Sequence, residues 1–194
     1  MTDKHKIGTK LNMDEPFRNL PKPFKRTAQD YWQWGYSAVL SNTDRGVLAE
    51  YIVAVLLGID EAARIPWDAC DLRLPDGKKI EVKSTAKLQA WSQGKLNEPR
   101  IVLKPTKAYD PRTNTYLPAD FNADVYIFCF FKTEKLEKAN LLDMSQWDFY
   151  VFSQTQIMGL LAGRKSISLK QLESEGFKSI SADSVASAVS DLGE

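Results

Sequence analysis

The sequence is poor in the side chains that most hydrolases use for nucleophilic and metal chemistry. Its 194 residues include one histidine and two cysteines. The single histidine, His5, lies in a polar terminal segment, which argues against Ser-His and Cys-His catalytic systems and against a histidine-rich metal site. Two isolated cysteines and one histidine are also too few for a structural zinc site of the usual kind. Carboxylates, lysines and a hard cation remain as the chemistry that this composition supports.

Long apolar runs and an excess of one charge are lacking as well. No apolar run approaches the length needed to cross a membrane, and the N-terminus is too charged for a signal peptide. Cys70 and Cys129 each lie in an apolar segment, which is typical of reduced core cysteines. We therefore expect a cytoplasmic protein without a membrane segment. The net charge of +1 does not by itself indicate a nucleic-acid-binding protein.

Length and hydropathy predict a single domain. A chain of 194 residues with 43% hydrophobic residues can bury a substantial core. Residues 1–26 are polar and interrupted by prolines, so we expect an extended N-terminal arm. Residues 27–180 should form the domain. Residues 181–194 should form a C-terminal tail, which is either a weak helix or frayed.

A predicted β-hairpin at residues 68–84 is the most informative segment of the sequence. Its turn, Pro75-Asp76-Gly77, fits a type I turn that is closed by a glycine in the left-handed conformation. A three-residue loop of this kind centres the strand pairing on Asp76, so that Arg73 faces Lys79. The same register places two acidic side chains opposite each other.

Asp71 and Glu81 are that acidic pair, and Lys83 projects from the same side as Glu81 because side chains alternate along a strand. Two carboxylates that face each other repel unless a cation lies between them. A divalent metal would relieve the repulsion, with an ammonium nearby to position a bound water. Alternatively, the hairpin is a solvated surface on which Arg73, Lys79 and Lys83 neutralise the acids without a metal.

An apolar helix is predicted just upstream of the hairpin. Residues 46–58 carry apolar side chains at helical spacing, follow several residues suited to capping, and end at Gly58. Glu50 is the only charged residue inside this segment. A carboxylate in a largely buried helix needs a partner or a metal. Two interpretations stay open: Glu50 serves a metal site, or it points to solvent or pairs with Arg45 or Arg64.

The order of these parts resembles the PD-(D/E)xK nuclease superfamily, the proteins with the restriction-endonuclease-like fold. In that superfamily a helix with a Glu precedes a strand with an Asp, and a hairpin leads to Glu-x-Lys. The matching residues here are Glu50, Asp71 and Glu81-Val82-Lys83, and the resemblance covers about residues 41–155. One departure is Cys70, which stands where the name-giving proline would precede the Asp.

The resemblance implies an α/β fold with a restriction-endonuclease-like three-layer core, in which a mixed central β-sheet is flanked by helices. Two further strands that such a core needs are predicted in the apolar segments at residues 122–131 and 147–153.

The resemblance also implies a Mg²⁺-dependent endonuclease that hydrolyses DNA phosphodiester bonds in restriction or repair, with Mn²⁺ as a substitute ion. Asp71, Glu81 and the Val82 carbonyl would hold the metal. Lys83 would orient or deprotonate the attacking water, or stabilise charge on the phosphoryl oxygens. Glu50 would complete a second metal site or hold a bridging water. Restriction enzymes of this fold often act as dimers, so the expected partners are DNA and a second copy of the chain.

The distribution of charge predicts a path for the DNA backbone. Residues 78–112 contain nine basic residues and three acidic ones, whereas residues 171–194 contain one basic residue and five acidic ones. We expect the basic segment to contact phosphates, with a solvated loop as the alternative. The residues expected to contact nucleic acid are Lys87, Trp91, Lys95, Lys104 and Lys107, with Tyr109 as a second candidate for stacking.

Shorter elements complete the sequence-based prediction. We expect helices at residues 30–40, 86–90 and 168–175, a strand at residues 100–104 and a loop at residues 104–122. The first of these helices is rich in aromatic rings, which we expect to pack in a core rather than to stack on bases. Its rings are Tyr31, Trp32, Trp34 and Tyr36.

Two other functional classes fit the same sequence. A nuclease-like scaffold can bind DNA or a protein partner without cutting, which makes a non-catalytic nucleic-acid- or protein-binding module the main alternative. In the other class, Trp147, Phe149 and Tyr150 form the interface of a partner-dependent subunit. A largely buried strand explains those rings equally well.

Overall fold

A four-stranded β-sheet with parallel and antiparallel neighbours forms the centre of the protein. The computed structural model describes residues 8–66, 68–91, 94–110 and 113–192. The helices in these residues are α1 (Ala28–Tyr36), α2 (Asn42–Leu56), α3 (Gln154–Leu161), α4 (Leu169–Ser174) and α5 (Val185–Asp191). The strands are β1 (Leu72–Arg73), β2 (Lys79–Ala86), β3 (Arg100–Val102), β4 (Thr106–Asp110), β5 (Thr115–Asp120), β6 (Val125–Phe131), β7 (Trp147–Ser153) and β8 (Ser166–Ser168). Short 3₁₀ turns lie at Leu136–Lys138, Met144–Gln146 and Ala182–Ser184.

The strand order in the central sheet is β1-β2-β6-β7. Strands β2 and β6 are parallel, whereas β1 pairs with β2, and β7 with β6, in antiparallel fashion. Parallel neighbours need a crossover connection, and here the chain between β2 and β6 carries β3, β4 and β5. Strand β3 pairs with β8 and β4 pairs with β5, each as a separate two-stranded antiparallel sheet.

Two hydrophobic clusters cover the opposite faces of the sheet. Side chains alternate along β6, so Val125 and Ile127 join a cluster with α2 and α5, whereas Tyr126 and Phe128 join a cluster with α3 and α4. The second cluster also includes Ile101, Leu103 and Ile167, from β3, β8 and the residue that follows β3. The sheet is therefore the middle layer of a mixed α/β architecture with helices on both sides, as the sequence predicted at this coarser level.

The predicted hairpin turn and register are confirmed. The Gly77 N–H donates to the Leu74 carbonyl at 2.9 Å, and Gly77 has a φ of +93°, the left-handed conformation that favours glycine. Arg73 pairs with Lys79 and Leu72 with Ile80. The three-residue loop thus fixes which side chains of the two strands face each other.

Helix α2 is also confirmed, together with its caps. The Ser41 hydroxyl accepts from the Asp44 N–H at 3.1 Å at the first turn. At the other end the Gly58 N–H donates to the Val55 carbonyl at 3.1 Å and the Ile59 N–H to the Ala54 carbonyl at 2.9 Å. This pair of bonds is a Schellman motif, and it ends the helix before the segment that approaches the hairpin.

The prediction for the first helix is wrong in its bounds and in its packing. A capping box between Thr27 and Asp30 starts α1 at Ala28, and the helix ends at Tyr36 rather than at residue 40. Ala28 is the only residue of α1 that is buried, and Trp34 is 87% exposed. Tyr31 and Tyr36 are also exposed, so these rings do not pack in a core.

Two predictions in the crossover connection are wrong. Residues 86–90 do not form a helix, because β2 continues to Ala86, where it still pairs with Phe131 of β6. Residues 104–122 are not a loop but contain the β4–β5 hairpin. In β5 one extra residue lies between the partners of Lys107 and Tyr109, and Pro118 falls in this bulged stretch of an edge strand, where a missing N–H is tolerated.

The remaining predictions agree in part. Strand β3 lies inside the predicted residues 100–104, and β6, β7 and α4 match their predicted segments. Helix α3 and strand β8 were not predicted, although a capping box between Ser153 and Gln156 precedes α3 in the sequence. Of the two explanations offered for Trp147, Phe149 and Tyr150, the buried strand is the one observed, because all three rings are buried.

The C-terminal segment, predicted as either a weak helix or a frayed tail, is helix α5 over most of the described length. Its Val185 and Val189 are buried in the cluster that α2 also joins. Cys70 and Cys129 are free and buried, as expected, although Cys70 lies in the loop before β1 rather than in a strand. None of the helices in the described residues has the length and apolar character that crossing a membrane requires.

The layering of the sheet predicts the effect of a core truncation. Phe149 is fully buried between the sheet and the α2–α5 layer, so Phe149→Ala should lower the free energy of unfolding by about 3–5 kcal/mol. Phe24, which is 60% exposed, provides a matched control, and Phe24→Ala should change that energy by less than about 0.5 kcal/mol. Urea denaturation followed by circular dichroism measures both. Equal losses in the two variants would contradict the burial described here.

Candidate active site

The candidate site lies at the outer edge of the sheet, where the chain enters the hairpin. Strand β1 is only two residues long, so β2 extends past it and would leave backbone groups without a strand partner. Asp71 fills this position: its N–H donates to the Ile80 carbonyl at 3.1 Å, and its Oδ2 accepts from the Val82 N–H at 2.8 Å. The Asp71 side chain thereby continues the ladder that β1 does not provide.

Lys83 lies between the two predicted acids. Its Nζ forms a close hydrogen-bonded ion pair with Glu81 Oε1 and lies 4.0 Å from Asp71 Oδ2. Glu81 and Lys83 are on the same face of β2, beside Tyr126 and Phe128 of the parallel strand β6. The structure therefore brings Asp71, Glu81 and Lys83 together. It also provides the metal-free neutralisation that the sequence left open, through Lys83 rather than through Arg73, whose guanidinium pairs with Asp68 at 3.2 Å.

The acids influence each other electrostatically. Burial raises the pKa of Glu81, and the nearby Asp71 carboxylate raises it further, whereas Lys83 opposes both effects. Glu50 adds a smaller contribution of the same sign as Asp71. A carboxyl group with a raised pKa is in a site that favours additional positive charge. The edge of the sheet is thus an acidic site that a single ammonium only partly neutralises.

Glu50 reaches the same site from α2, but it is already paired. Both of its carboxylate oxygens accept hydrogen bonds from the Arg64 guanidinium, one of them from Nη2 at 2.9 Å. Burial raises the pKa of Glu50, the Arg64 hydrogen bonds lower it, and the Asp71 charge raises it. Of the alternatives left open by the sequence, pairing with Arg64 is the one observed. Glu50 also lines the 440 Å³ cavity together with Asp71.

Arg45 is not a partner of Glu50 but fixes the helix that carries it. Its side chain is almost fully buried and donates to Ser84 Oγ at 3.2 Å, Asn42 Oδ1 at 2.7 Å and the Leu40 carbonyl at 3.1 Å. The bond to Ser84 joins the start of α2 to β2, one residue beyond Lys83. Arg45 is therefore a positioning residue that sequence reasoning considered only as a counterion.

Three adjoining cavities surround these side chains. The largest of the three, about 540 Å³, is lined by Asp68, Asp71, Glu81 and residues of the β4–β5 hairpin. A second, about 440 Å³, shares Asp68 and Asp71 with the first and extends along α2 to Glu50 and Arg64. A third, about 150 Å³, shares Glu81 with the first and extends to Lys83. The acids and the lysine thus line a group of neighbouring open cavities, the cleft, rather than a closed core.

Two of the residues predicted to contact nucleic acid line this cleft. Lys107 lines the 540 Å³ cavity, and Lys104 lines the 150 Å³ cavity together with Lys83. Lys87 and Lys95 instead line a different groove of about 690 Å³, in which Lys87 pairs with Glu134. Trp91 is exposed, in the segment between β2 and β3. The five predicted residues therefore do not share one surface.

The wall formed by the β4–β5 hairpin was missed by sequence reasoning. Tyr109 and Tyr116 pair across this hairpin and line the 540 Å³ cavity with Asp71 and Glu81. The sequence contains one signal for the turn between these strands, which is Asn114. Asparagine tolerates the left-handed conformation better than most residues, and Asn114 has a φ of 54°. The three prolines in this stretch favoured a loop instead.

The donor atoms of the site fit a magnesium ion. Among the described residues, no group of three or more His, Cys, Asp or Glu side chains is arranged to hold a metal. Mg²⁺, however, is commonly bound by one or two carboxylates together with waters and substrate phosphates. Asp71 and Glu81 supply two carboxylates. The Val82 carbonyl points to the same edge as the Val82 N–H, which contacts Asp71.

Comparison of the sequence with protein-family models and with curated proteins found no match.

The Glu50–Arg64 pair predicts a conditional loss of stability. Arg64→Met should lower the free energy of unfolding by about 1–3 kcal/mol, less than for a fully buried pair because the Arg64 side chain is 37% exposed. The loss should reach its full size above the raised pKa that an unpaired Glu50 has in the folded state, and it should shrink as the pH falls towards the ordinary carboxyl pKa. The reason is that an unpaired, buried Glu50 has a raised pKa in the folded state and retains its proton while the unfolded chain has lost its own.

Urea denaturation at about pH 5 and about pH 8 measures this effect. The double variant Glu50→Gln/Arg64→Met should recover part of the stability and lose the pH dependence, since no buried charge remains. Arg18→Met serves as the control, because the Arg18–Glu15 pair is exposed and should contribute little. A pH-independent loss in Arg64→Met would show that Glu50 is not the group responsible.

Proposed function

We propose that this protein is a metal-dependent nuclease that hydrolyses DNA phosphodiester bonds and has the restriction-endonuclease-like form of the α/β fold. The observation that carries the proposal is the grouping of Lys83 with Glu81, which it contacts, and with Asp71, whose Oδ2 lies 4.0 Å from the Lys83 Nζ. Both acids line an open cavity of about 540 Å³, and Lys83 lines the 150 Å³ cavity that shares Glu81 with it. Ion pairs with a purely structural role do not need a cavity of about 540 Å³ beside them, whereas a bound substrate needs such a space.

Asp71, Glu81 and the Val82 carbonyl would hold a Mg²⁺ ion in this proposal, with Mn²⁺ as a substitute. When bound, the ion supplies positive charge that neutralises the phosphodiester and lowers the pKa of an attacking water. Asp71 is held for this role by the Val82 N–H, which fixes one carboxylate oxygen and leaves the orientation of the group defined. A ligand fixed by its own hydrogen bond loses less freedom when it binds.

Lys83 would act on the phosphate and the water. Its ammonium would orient the water and stabilise negative charge that develops on the phosphoryl oxygens. Lys104 lines the cavity that contains Lys83 and would contact a neighbouring phosphate. Lys107 would do the same from the 540 Å³ cavity.

Glu50 would hold a water near the ion rather than bind the ion directly. Its two oxygens already accept from Arg64, and a direct metal bond would have to replace one of these charge-assisted hydrogen bonds. Glu50 and Asp71 line the same 440 Å³ cavity, so a water held there by Glu50 would lie near the acid that would hold the ion. Arg64 would therefore affect the site indirectly, through its hydrogen bonds to Glu50.

Cleavage of DNA tests the proposal directly. The wild-type protein with Mg²⁺ or Mn²⁺ should cut plasmid or oligonucleotide DNA, and chelation of the metal should stop the reaction. Glu81→Gln and Lys83→Met should each lower the rate by at least about a hundredfold, because each removes a charge that the transition state needs. The measurement is the initial rate of product formation on a denaturing gel.

Asp76→Asn is the matched control for these variants. Asp76 lies at the turn of the same hairpin, is exposed, and accepts from the Lys78 N–H through Oδ1, a bond that asparagine can retain. Its rate should equal that of the wild type. If the wild type and Glu81→Gln leave the same background nicking, catalysis by this site is wrong.

A non-catalytic nucleic-acid- or protein-binding module is the second candidate. The observation that favours it is that Lys83 already supplies positive charge to both acids without a metal. A binding module of this kind has no need for Mg²⁺ at the hairpin edge. The two candidates therefore differ in metal uptake.

Calorimetric titration with Mg²⁺ separates them. In the nuclease, the wild type should bind Mg²⁺ and Glu81→Gln should bind it at least about tenfold more weakly, since half of the carboxylate set is lost. The Asp76→Asn control should bind as the wild type does. Equal heats in the wild type and Glu81→Gln would favour the binding module.

A further inference from the structure

A pair of tyrosines on the β4–β5 hairpin forms part of the wall of the candidate active site. Tyr109 and Tyr116 are cross-strand partners, with ring centroids 5.5 Å apart and ring planes at 59°. Cross-strand aromatic pairs stabilise hairpins, and this contact accounts for one face of each ring. It does not account for the exposure of Tyr116, which is 69% accessible to solvent.

The two strands of this hairpin are joined at its base. The Asn122 amide donates to the Thr106 carbonyl at 2.7 Å and to the Asp120 carbonyl at 3.1 Å, so one side chain joins the two strand ends. Thr106 lines both the 540 Å³ and the 150 Å³ cavity. The base of the hairpin therefore lies beside the cleft, and its tyrosines line the cavity that Asp71 and Glu81 also line.

Strand geometry explains how three side chains of the hairpin face the same cavity. Lys107 and Tyr109 are two residues apart on β4 and therefore share a face of that strand, and Tyr116 is the cross-strand partner of Tyr109. Lys107, Tyr109 and Tyr116 all line the 540 Å³ cavity with Asp71 and Glu81. A cation and an exposed ring thus lie on the same wall, opposite the acids.

We infer that this cavity binds a nucleotide whose base is unpaired and stacks on Tyr116, so that the substrate is single-stranded nucleic acid or a single-stranded segment. This inference rests on the proposed nuclease function, since it assigns the substrate of the same site. Tyr116 supplies the stacking surface, Tyr109 supports that ring from the neighbouring strand, and Lys107 contacts the adjoining phosphate.

A duplex does not use this wall in the same way. In a duplex the flat faces of each base are covered by the neighbouring base pairs, so a tyrosine beside the backbone finds no face to stack on. Single-stranded bases present their faces freely, and proteins that bind them combine basic grooves with exposed aromatic rings. Lys107 and the Tyr109–Tyr116 pair supply the basic side chain and the aromatic rings of such a site.

Binding without cleavage tests the inference. In a Glu81→Gln background, fluorescence anisotropy would compare a labelled single strand with the same strand in a duplex. Tyr116→Ala should weaken binding of the single strand by about 5- to 100-fold and leave duplex binding unchanged within about threefold. Tyr116→Phe should retain the affinity for the single strand, since a phenyl ring stacks as well and preserves the hairpin contact.

Tyr36→Ala is the matched control, because Tyr36 is also exposed and also pairs with a second tyrosine, Tyr31, on α1. Its affinity should equal that of the parent. Equal effects of Tyr116→Ala and Tyr36→Ala, equal losses on both substrates, or no binding of the single strand would overturn the inference.

Cleavage by the wild type distinguishes this failure from failure of the proposed function. Cutting of duplex with no Tyr116-dependent binding of single strands would overturn the substrate assignment and leave the nuclease intact. No cutting of either substrate, together with Tyr116-dependent binding of the single strand, would overturn the nuclease and retain the stacking site.

Discussion

The candidate site depends on the way in which Asp71, Glu81 and Lys83 share the outer edge of the sheet. Two half-buried carboxylates so close together would be unstable without positive charge, and Lys83 supplies it through contacts to both. Asp71 has a further task, because its carboxylate also accepts from the Val82 N–H beyond the end of the short strand β1. One side chain therefore completes the backbone pattern and orients the charge of the cleft.

This sharing explains why a structural and a catalytic interpretation use the same residues. Two unit charges 4 Å apart attract by roughly 4 kcal/mol at an effective dielectric constant of about 20, and a dication in that position gains more from the same acids. The dication must first lose part of its hydration, which Mg²⁺ does reluctantly. In the proposed metal site, a lysine beside the acids would reduce the repulsion that a substrate phosphate would meet. The ion pairs of the hairpin are thus compatible with such a site.

Local signals predicted the part of the site that local geometry determines. The turn Pro75-Asp76-Gly77 fixed the register of the hairpin, and with it the positions of Asp71 and Glu81, because a short loop leaves one pairing. For Glu50, the sequence offered several candidate partners and did not select one. The contact with Arg64 depends on how α2 packs, which local signals do not determine. The exposure of Trp34 was unpredictable for a similar reason. Whether a ring is covered depends on surfaces that are distant in the sequence.

The crossover between β2 and β6 shows why charge counted along the sequence does not map onto one surface. This connection contains most of the basic segment, yet it folds into two parts with different neighbours. Lys104 and Lys107 return to the cleft with β4, whereas Lys87 lies in another groove and is paired with Glu134. The β4–β5 hairpin places Lys104 and Lys107 at the cleft. The sequence did not predict this hairpin, because its prolines favoured a loop. A sheet that contains a parallel pair needs such a connection, and in this protein the connection also builds the wall of the cleft.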